Sequence, residues 1–337
     1  MEAAAKKRHP LRIVAWALGI ALALALALAV AAVVALNIYV RVAFGPFYDQ
    51  TERVFDIPGV NAGFVCQDLD HLETTDAWLF SGYMADHSPS PLYRRDADGA
   101  VARLTVTLPD GDVYAGHGSA ITSTDQYAYL ACEGGYLVLD AEEVASAADG
   151  QVLGALAKVE LDFSPAFMNI EGDTLLVGEF YYPGDYETPD EHHILTADGT
   201  ENPAIMYAYA LAGGAPFGVA PAAERVYSIP GMIQGVCTAG AGRLVLSQSY
   251  GLATSHLLAY DMTELAAEGT FAADGEEVPL YCLDGRSLVE DVEAPPMAEG
   301  IESFEGRVYV SDESASNKYI FGKLYGAGAV YALDMEG

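Results

Sequence analysis

ERVFDIPG (52–59) and ERVYSIPG (224–231) are two copies of one phrase, and the place of the first decides the fold. The second copy ends a repeating unit, where it reads as an outer β-strand. The first stands before any unit begins and has no other home in the chain. Working outward from it, five stretches open the units: GVNAGFVC (59–66), GHGSAI (116–121), PAFMNI (165–170), MIQGVC (232–237) and MAEGIE (297–302). They lie roughly 50 to 65 residues apart, the spacing of a repeat architecture. A turn and a strand rich in branched and aromatic residues follow, as in DAWLFSGYM (76–84), DQYAYLACEGG (125–135), DTLLVGEFYY (173–182), GAGRLVLSQSYG (240–251) and FEGRVYVSDES (304–314). This is the hairpin signature.

Third strands end on Asp: Tyr136–Asp140, Leu257–Asp261 and Val330–Asp334. AEEV and TELA follow the first two, and Asp is a good N-cap, so short helical turns are expected there. Outer strands are expected at ARLTVTL (102–108), AKVELDF (157–163), ERVYSIP (224–230) and RSLVEDV (286–292). The last unit, 297–337, holds three strands, and ERVFDIPG supplies the fourth. A ring closed in this way has no exposed edge between the chain ends. The reading is an all-β fold, a β-propeller over 52–337 with five four-stranded blades, or six or seven if long units hide extra strands. No long amphipathic helix follows residue 43, which argues against an α/β fold.

These strand phrases and their Asp endings resemble bacterial extracytoplasmic β-propellers of the broad SMP-30, NHL and YVTN-repeat kind. The resemblance covers most of the chain beyond residue 44. It implies an architecture, and no family-defining catalytic motif accompanies it.

Residues 13–40, IVAWALGIALALALALAVAAVVALNIYV, carry one polar side chain, Asn37. About 20 apolar residues span the hydrocarbon core of a membrane, and only a helix satisfies its own backbone there. The stretch is longer than the apolar region of a cleaved signal, about 7–15 residues. An uncleaved transmembrane helix is expected, with a cleaved signal as the alternative. Lys6, Lys7, Arg8 and Arg12 precede it, so residues 1–12 are expected as a cytoplasmic basic tail and the C-terminal domain as extracytoplasmic. Residues 41–51 read as a linker. The partner in this reading is the membrane, through a single-pass anchor.

The 337 residues hold 48 Asp and Glu against 16 Lys and Arg, a formal charge of −32. A chain this acidic lacks the basic footprint that nucleic acid requires. Cys66, Cys132, Cys237 and Cys282 have no CxxC spacing, so structural zinc is not expected. An oxidising location permits disulfides in three pairings, and buried free thiols fit equally well. GxSxG, HExxH and P-loop motifs are absent, and Trp16 and Trp78 are too few tryptophans for a sialidase or quinone-dehydrogenase pattern. DADG (96–99) and ADGTEN (197–202) lack the bidentate Glu of a calcium loop and read as hairpin turns.

Propeller ligands sit at the channel mouth, where inner strands converge. The candidates are the polar residues of the unit openings: Asn61, His117, Asn169, Gln234 and Glu299. Glycine follows three of them, at Gly118, Gly235 and Gly300, and permits close approach at a crowded axis. The strand ends add Glu133, Glu179, Gln248, Asp312 and Glu313. An acidic mouth would favour Ca²⁺ or another divalent cation. The resemblance to lactonases of the SMP-30 kind implies a metal held by Glu299, Asn169 and Asp312. The insertion YYPGDYETPDEHHILTADGTENP (181–203) brings aromatic rings, acids and His192-His193, which suit sugars or cations. Lys318 and Lys323 are two basic groups near the chain's end that would offset carboxylates or meet an anion. The expected function is a ligand-binding, sensing or docking module for a small polar or sugar-like ligand or an envelope protein. A metal-dependent hydrolase or lactonase and a structural envelope subunit are the alternatives.

Overall fold

The structure is a computed structural model and describes residues 10–240 and 242–335, so Lys6, Lys7 and Arg8 of the expected tail lie outside it. Among the described residues the strands form five blades around one axis, with one long apolar helix before them. Blade one runs outward through Phe64–Leu72, Ala77–Met84, Pro91–Arg95 and Val101–Thr107. Blade two holds Ile121–Ser123, Tyr127–Cys132, Gly135–Asp140 and Ala157–Glu160. Blade three begins with Phe167–Glu171, Thr174–Gly178, Ala204–Leu211 and Val219–Ile229. Blade four holds Ile233–Ala239, Arg243–Gln248, Ser255–Asp261 and Leu288–Ala294. Blade five holds Ala298–Phe304, Arg307–Asp312 and Ala329–Leu333.

The fourth strand of blade five is Thr51–Asp56, which pairs antiparallel with Ala329–Leu333 from Thr51 opposite Leu333 to Asp56 opposite Ala329. The duplicated phrase therefore closes the ring. Three additions among the described residues escape the repeat pattern, the first being the small hairpin of Ile194–Leu195 and Glu201–Asn202. Val152–Gly154 runs parallel beside the outer strand of blade one. The hairpin Gly269–Ala273 and Glu276–Cys282 lies between two strands of blade four in sequence, yet it extends the outer edge of blade three. Its Asp274-Gly275 turn has φ of 52° and 82°, the left-handed pair that a tight hairpin needs.

Side chains alternate across each strand, and each face meets a neighbouring blade. On Ala77–Met84, Trp78 and Phe80 pack toward blade five, and Leu79 packs toward blade two. On Tyr127–Cys132, Leu130 and Cys132 face blade one, while Tyr129 and Ala131 face blade three. Both faces being buried, the middle strands read as nearly continuous apolar runs. All four cysteines are buried free thiols.

Asp140 caps a helix over Ala141–Ser146, its side chain accepting from the Glu143 amide at 2.9 Å. The second expected helical turn does not form. Asp261 instead accepts from both the amide and the hydroxyl of Thr263, which closes a turn without a helix. DADG and ADGTEN are hairpin turns, with Gly99 and Gly199 at φ of 88° and 89°.

The apolar helix covers Pro10–Ala43, and Arg12–Ala43 is long and apolar enough to cross a membrane. The stretch expected as a linker is packed structure. A short helix, Gly45–Gln50, follows a single turn, and Val40, Phe44 and Phe47 are buried between blades four and five. Burying three large apolar groups there holds the long helix to the propeller. Asn37 joins this contact by donating to the Leu324 carbonyl at 2.7 Å.

Ring closure predicts a stability effect. Phe55 sits on the closing strand, 5.4 Å from Trp78 and 6.2 Å from Phe80, and is 8% exposed. Phe55→Ala leaves a void between blades five and one and is expected to cost about 3 kcal/mol in urea unfolding. A loss below about 0.5 kcal/mol would mean that closure contributes little.

Candidate functional site

Inner strands expose one unpaired edge to the axis, and its amides need partners. Carboxylates from the neighbouring blade supply them. Asp68 accepts from the Ile121 amide at 2.9 Å, and Asp70 from the Ser123 hydroxyl at 2.6 Å and amide at 3.2 Å. Glu171 accepts from the Thr238 amide and hydroxyl, both at 2.6 Å. Asn169 donates to the Val236 carbonyl at 2.8 Å and to Glu302 at 3.0 Å, and its amide oxygen accepts from Thr122. The channel interior is thus a set of acidic ties between blades. Space there is so tight that a Cβ on Gly300 would lie 1.7 Å from the Asp68 carboxylate, and one on Gly235 2.8 Å from the Ile301 amide.

Above these ties, at the channel mouth, lies a cavity of about 520 Å³. His117, Gln234 and Glu299 from the unit openings all line it. The His117 amide donates to Glu133 at 3.0 Å, its ring stacks on Tyr83 at 4.6 Å, and its Nε2 meets the Gln67 side-chain oxygen. Gln67 in turn donates to Glu313 at 3.0 Å, and Glu313 is hydrogen-bonded to Glu299. Glu299 is 2% exposed. Burial, followed by the charges of Glu313 and Asp312, raises its carboxyl well above the usual range. Burial also pushes Glu313 up to about 7, while Lys318 pulls it down. His117 is held below its ordinary range, first by burial and then by Lys318.

The other candidates lie elsewhere. Asn61 is exposed on the turn Val60–Ala62. Asn169 is buried among the ties and is 3% exposed. Asp312 faces away from the mouth, in a small pocket with Tyr48 and Tyr325, and accepts from the Ser314 amide at 2.6 Å. Glu179 and His192 meet at 2.8 Å and line a second cavity of about 510 Å³ against blade three. His193 turns the other way, to Glu201 at 3.3 Å and Thr188 at 3.1 Å. Glu299, Asn169 and Asp312 therefore do not converge on one point, and they do not fit the metal that the lactonase resemblance implies. Among the described residues, no three His, Cys, Asp or Glu side chains are grouped to hold an ion.

Of the aromatic wall, the sequence reading offered Tyr186, in the insertion, and missed Tyr83, Phe180, Tyr250 and Tyr319. Its signal is positional. The end of each second strand supplies the mouth in turn, through Tyr83, Glu133, Phe180, Tyr250 and Glu313. Alternation decides which neighbour faces in. Glu313 points to the cavity and Asp312 away, and Phe180 lines it beside Glu179, whose carboxylate is tied to His192.

No protein-family model matches the chain, and no curated protein matches it in sequence. Solved structures do resemble it. Glutaminyl cyclase from Myxococcus xanthus is 10% identical with a TM-score of 0.42, covering 84% of this chain and 95% of its own. The PQQ-bound aldose sugar dehydrogenase from Streptomyces coelicolor is 14% identical, with a TM-score of 0.39 over 84% and 97%. The WD40 β-propeller domain of Doa1 is 8% identical, with a TM-score of 0.38 over 85% and 97%. Scores this low carry nothing about chemistry, and the propeller rests on its own strand pairing.

The buried acids set a pH dependence. Burial pushes Asp70, Asp312 and Glu313 each up to about 7. In the unfolded chain such carboxyls titrate near about 4. Between those values the folded chain keeps protons that the unfolded chain has lost. This stability is fully present below about pH 4 and is lost as pH rises through about 7. His117 acts in the opposite sense below about pH 6.5, as one group against several. The melting temperature is expected to fall from about pH 5.5 to pH 8, with Asp70→Asn flattening the slope. A melting temperature that rises over this interval contradicts the assignment.

Proposed function

We propose that this chain is a membrane-anchored β-propeller that captures a small polar ligand in the cavity at its channel mouth. The observation that carries the reading is the lining of that cavity. Aromatic rings form its wall, and convergent polar groups, among them Gln67, His117, Gln234 and Glu299, form its floor. A concave site with apolar walls and a few placed polar groups is the ordinary form of a small-molecule site. The floor is built from strand ends, so little ordering remains to be lost on binding.

The exposed apolar face of Pro10–Ala43 supports the anchor. Leu18, Leu22 and Leu28 are 66%, 73% and 71% exposed, which water tolerates poorly and lipid does not oppose. The helix packs into blades four and five, so the natural unit for study is the full chain in detergent micelles.

Thermal unfolding with a panel of neutral sugars, amino acids and amines tests the reading. A ligand at 100 times its Kd is expected to stabilise the protein by about 2.7 kcal/mol. Tyr250→Ala and Glu299→Gln are expected to abolish that shift while keeping the far-UV circular dichroism. A panel without any shift, or a shift untouched by both substitutions, would overturn the cavity as the site.

A further inference from the structure

The cavity and the long helix meet on one connection of the chain. Residues 313–328 join the second and third strands of blade five. Glu313, Lys318 and Tyr319 of this connection line the cavity. Leu324 of the same connection accepts the Asn37 amide, and Tyr325 packs with Val40, Phe44 and Phe47. From Asn37 back toward its start the helix leaves the propeller: Leu36 is its last partly packed residue, and Val34, Leu28 and Leu18 stand 51%, 71% and 66% exposed. The departing length is about 40 Å at 1.5 Å per residue. The helix thus leaves the body at the rim that carries the cavity. That rim is also apolar, with Ile320, Phe321 and Leu324 at 57%, 50% and 39% exposed. A membrane that held the helix would lie near this rim.

The charges inside the cavity have an order. Glu133, Glu299 and Glu313 are its carboxyls. Among the described residues, Lys318 is the one ammonium in its lining. Its Nζ donates to the Tyr83 hydroxyl at 2.6 Å and sits 4.9 Å from the Tyr83 ring and 4.8 Å from Tyr319. The chain therefore already seats one ammonium against a tyrosine hydroxyl and a second aromatic ring at this rim. The far wall offers an aromatic surface over which, among the described residues, no Lys or Arg side chain sits. There Phe180 lies 5.2 Å from Tyr186 and 5.9 Å from Tyr250. Glu299, which lines the same cavity, is 2% exposed and has the Glu313 carboxyl as its partner, so a positive charge would relieve the repulsion within this acid pair. Aromatic faces above carboxylates are the surface that organic ammonium ions prefer.

We propose that the cavity binds an organic ammonium group of ethanolamine or choline type, presented by the zwitterionic headgroup of a membrane lipid. The ammonium sits between the Phe180, Tyr186 and Tyr250 wall and Glu299. The phosphodiester stays at the rim, within reach of Lys318. This inference rests on the cavity being a ligand site and on the helix being an anchor.

Calorimetric titration of the full chain in dodecyl maltoside micelles tests the chemistry with three probes. These are choline, glycerophosphocholine and 3,3-dimethylbutan-1-ol, the neutral isostere of choline. Choline and glycerophosphocholine are expected to bind, and the isostere at least tenfold more weakly than choline. Tyr250→Ala and Glu299→Gln are expected to weaken both ammonium probes at least tenfold, with Glu313→Gln as the replacement should Glu299→Gln fail to fold. Lys318→Met is expected to weaken glycerophosphocholine and spare choline. Equal binding of choline and its isostere, or no binding of either ammonium probe, overturns the proposal. A neutral sugar that binds and responds to Tyr250→Ala, while choline does not bind, leaves the cavity reading standing and removes this inference alone.

The source of the ammonium is read in a second arm. In phosphatidylcholine nanodiscs the headgroups compete, so added choline is expected to bind at least tenfold more weakly than in maltoside micelles. Unchanged choline affinity there overturns the lipid source and assigns the cavity to a free amine.

Discussion

Five strand edges meet around one axis, and the amides on those edges have no sixth strand to pair with. Every other feature of the channel follows from that constraint. A carboxylate accepts an amide hydrogen bond well and is short enough to cross between blades, so Asp68, Asp70 and Glu171 stand where the edges need acceptors. Packing these acids together out of water raises their pKa values, because the charged form loses its solvent. The ties also consume the polar groups of the lower channel. At the mouth stand Gln234, the paired acids Glu299 and Glu313, and the rings around them.

The blade cores show the same economy on the apolar side. Each interface between neighbouring blades holds its own cluster of buried residues, so each blade depends on two neighbours and the ring depends on being closed. The interface between blades four and five differs from the rest. Val40, Phe44 and Phe47 enter it from outside the repeat and fill space beside Tyr325. The N-terminal helix is therefore part of the propeller's packing as well as a projection from it. The connection 313–328 touches that helix on one side and the cavity on the other.

Much of the fold was legible because repeats write the same physics several times. The five openings mark the five inner strands, and the expected outer strands at 102–108, 157–163, 224–230 and 286–292 overlap strands that the blades contain. The hairpin around Asp274-Gly275 was also writable, since its turn residues are a plain signal. Its place on blade three was not, because a strand's partner across a sheet edge depends on where its neighbours already stand. The site was half legible. His117, Gln234 and Glu299 lie together at the mouth, each next to a glycine at the crowded axis. Asn169 aligns less well with them: no glycine follows it, it lies deeper in its inner strand, and it spends its amide on Val236 and Glu302.

By itself the sequence determined what local pattern and period can carry: strand phrases, turn residues, a helix too long and apolar for water, and a closing strand written twice. Alternation and hydrophobic burial act over a few residues, so they leave their mark in order along the chain. The tertiary structure alone decided which acids became ties and which stayed at the mouth, that Asp312 and Glu313 part ways, and that Gly45–Gln50 forms a short helix with Phe47 buried against the blades. It also decided that the cavity opens on the rim where the helix departs. Those outcomes turn on distances between segments far apart in sequence, and such distances exist only once the ring has closed.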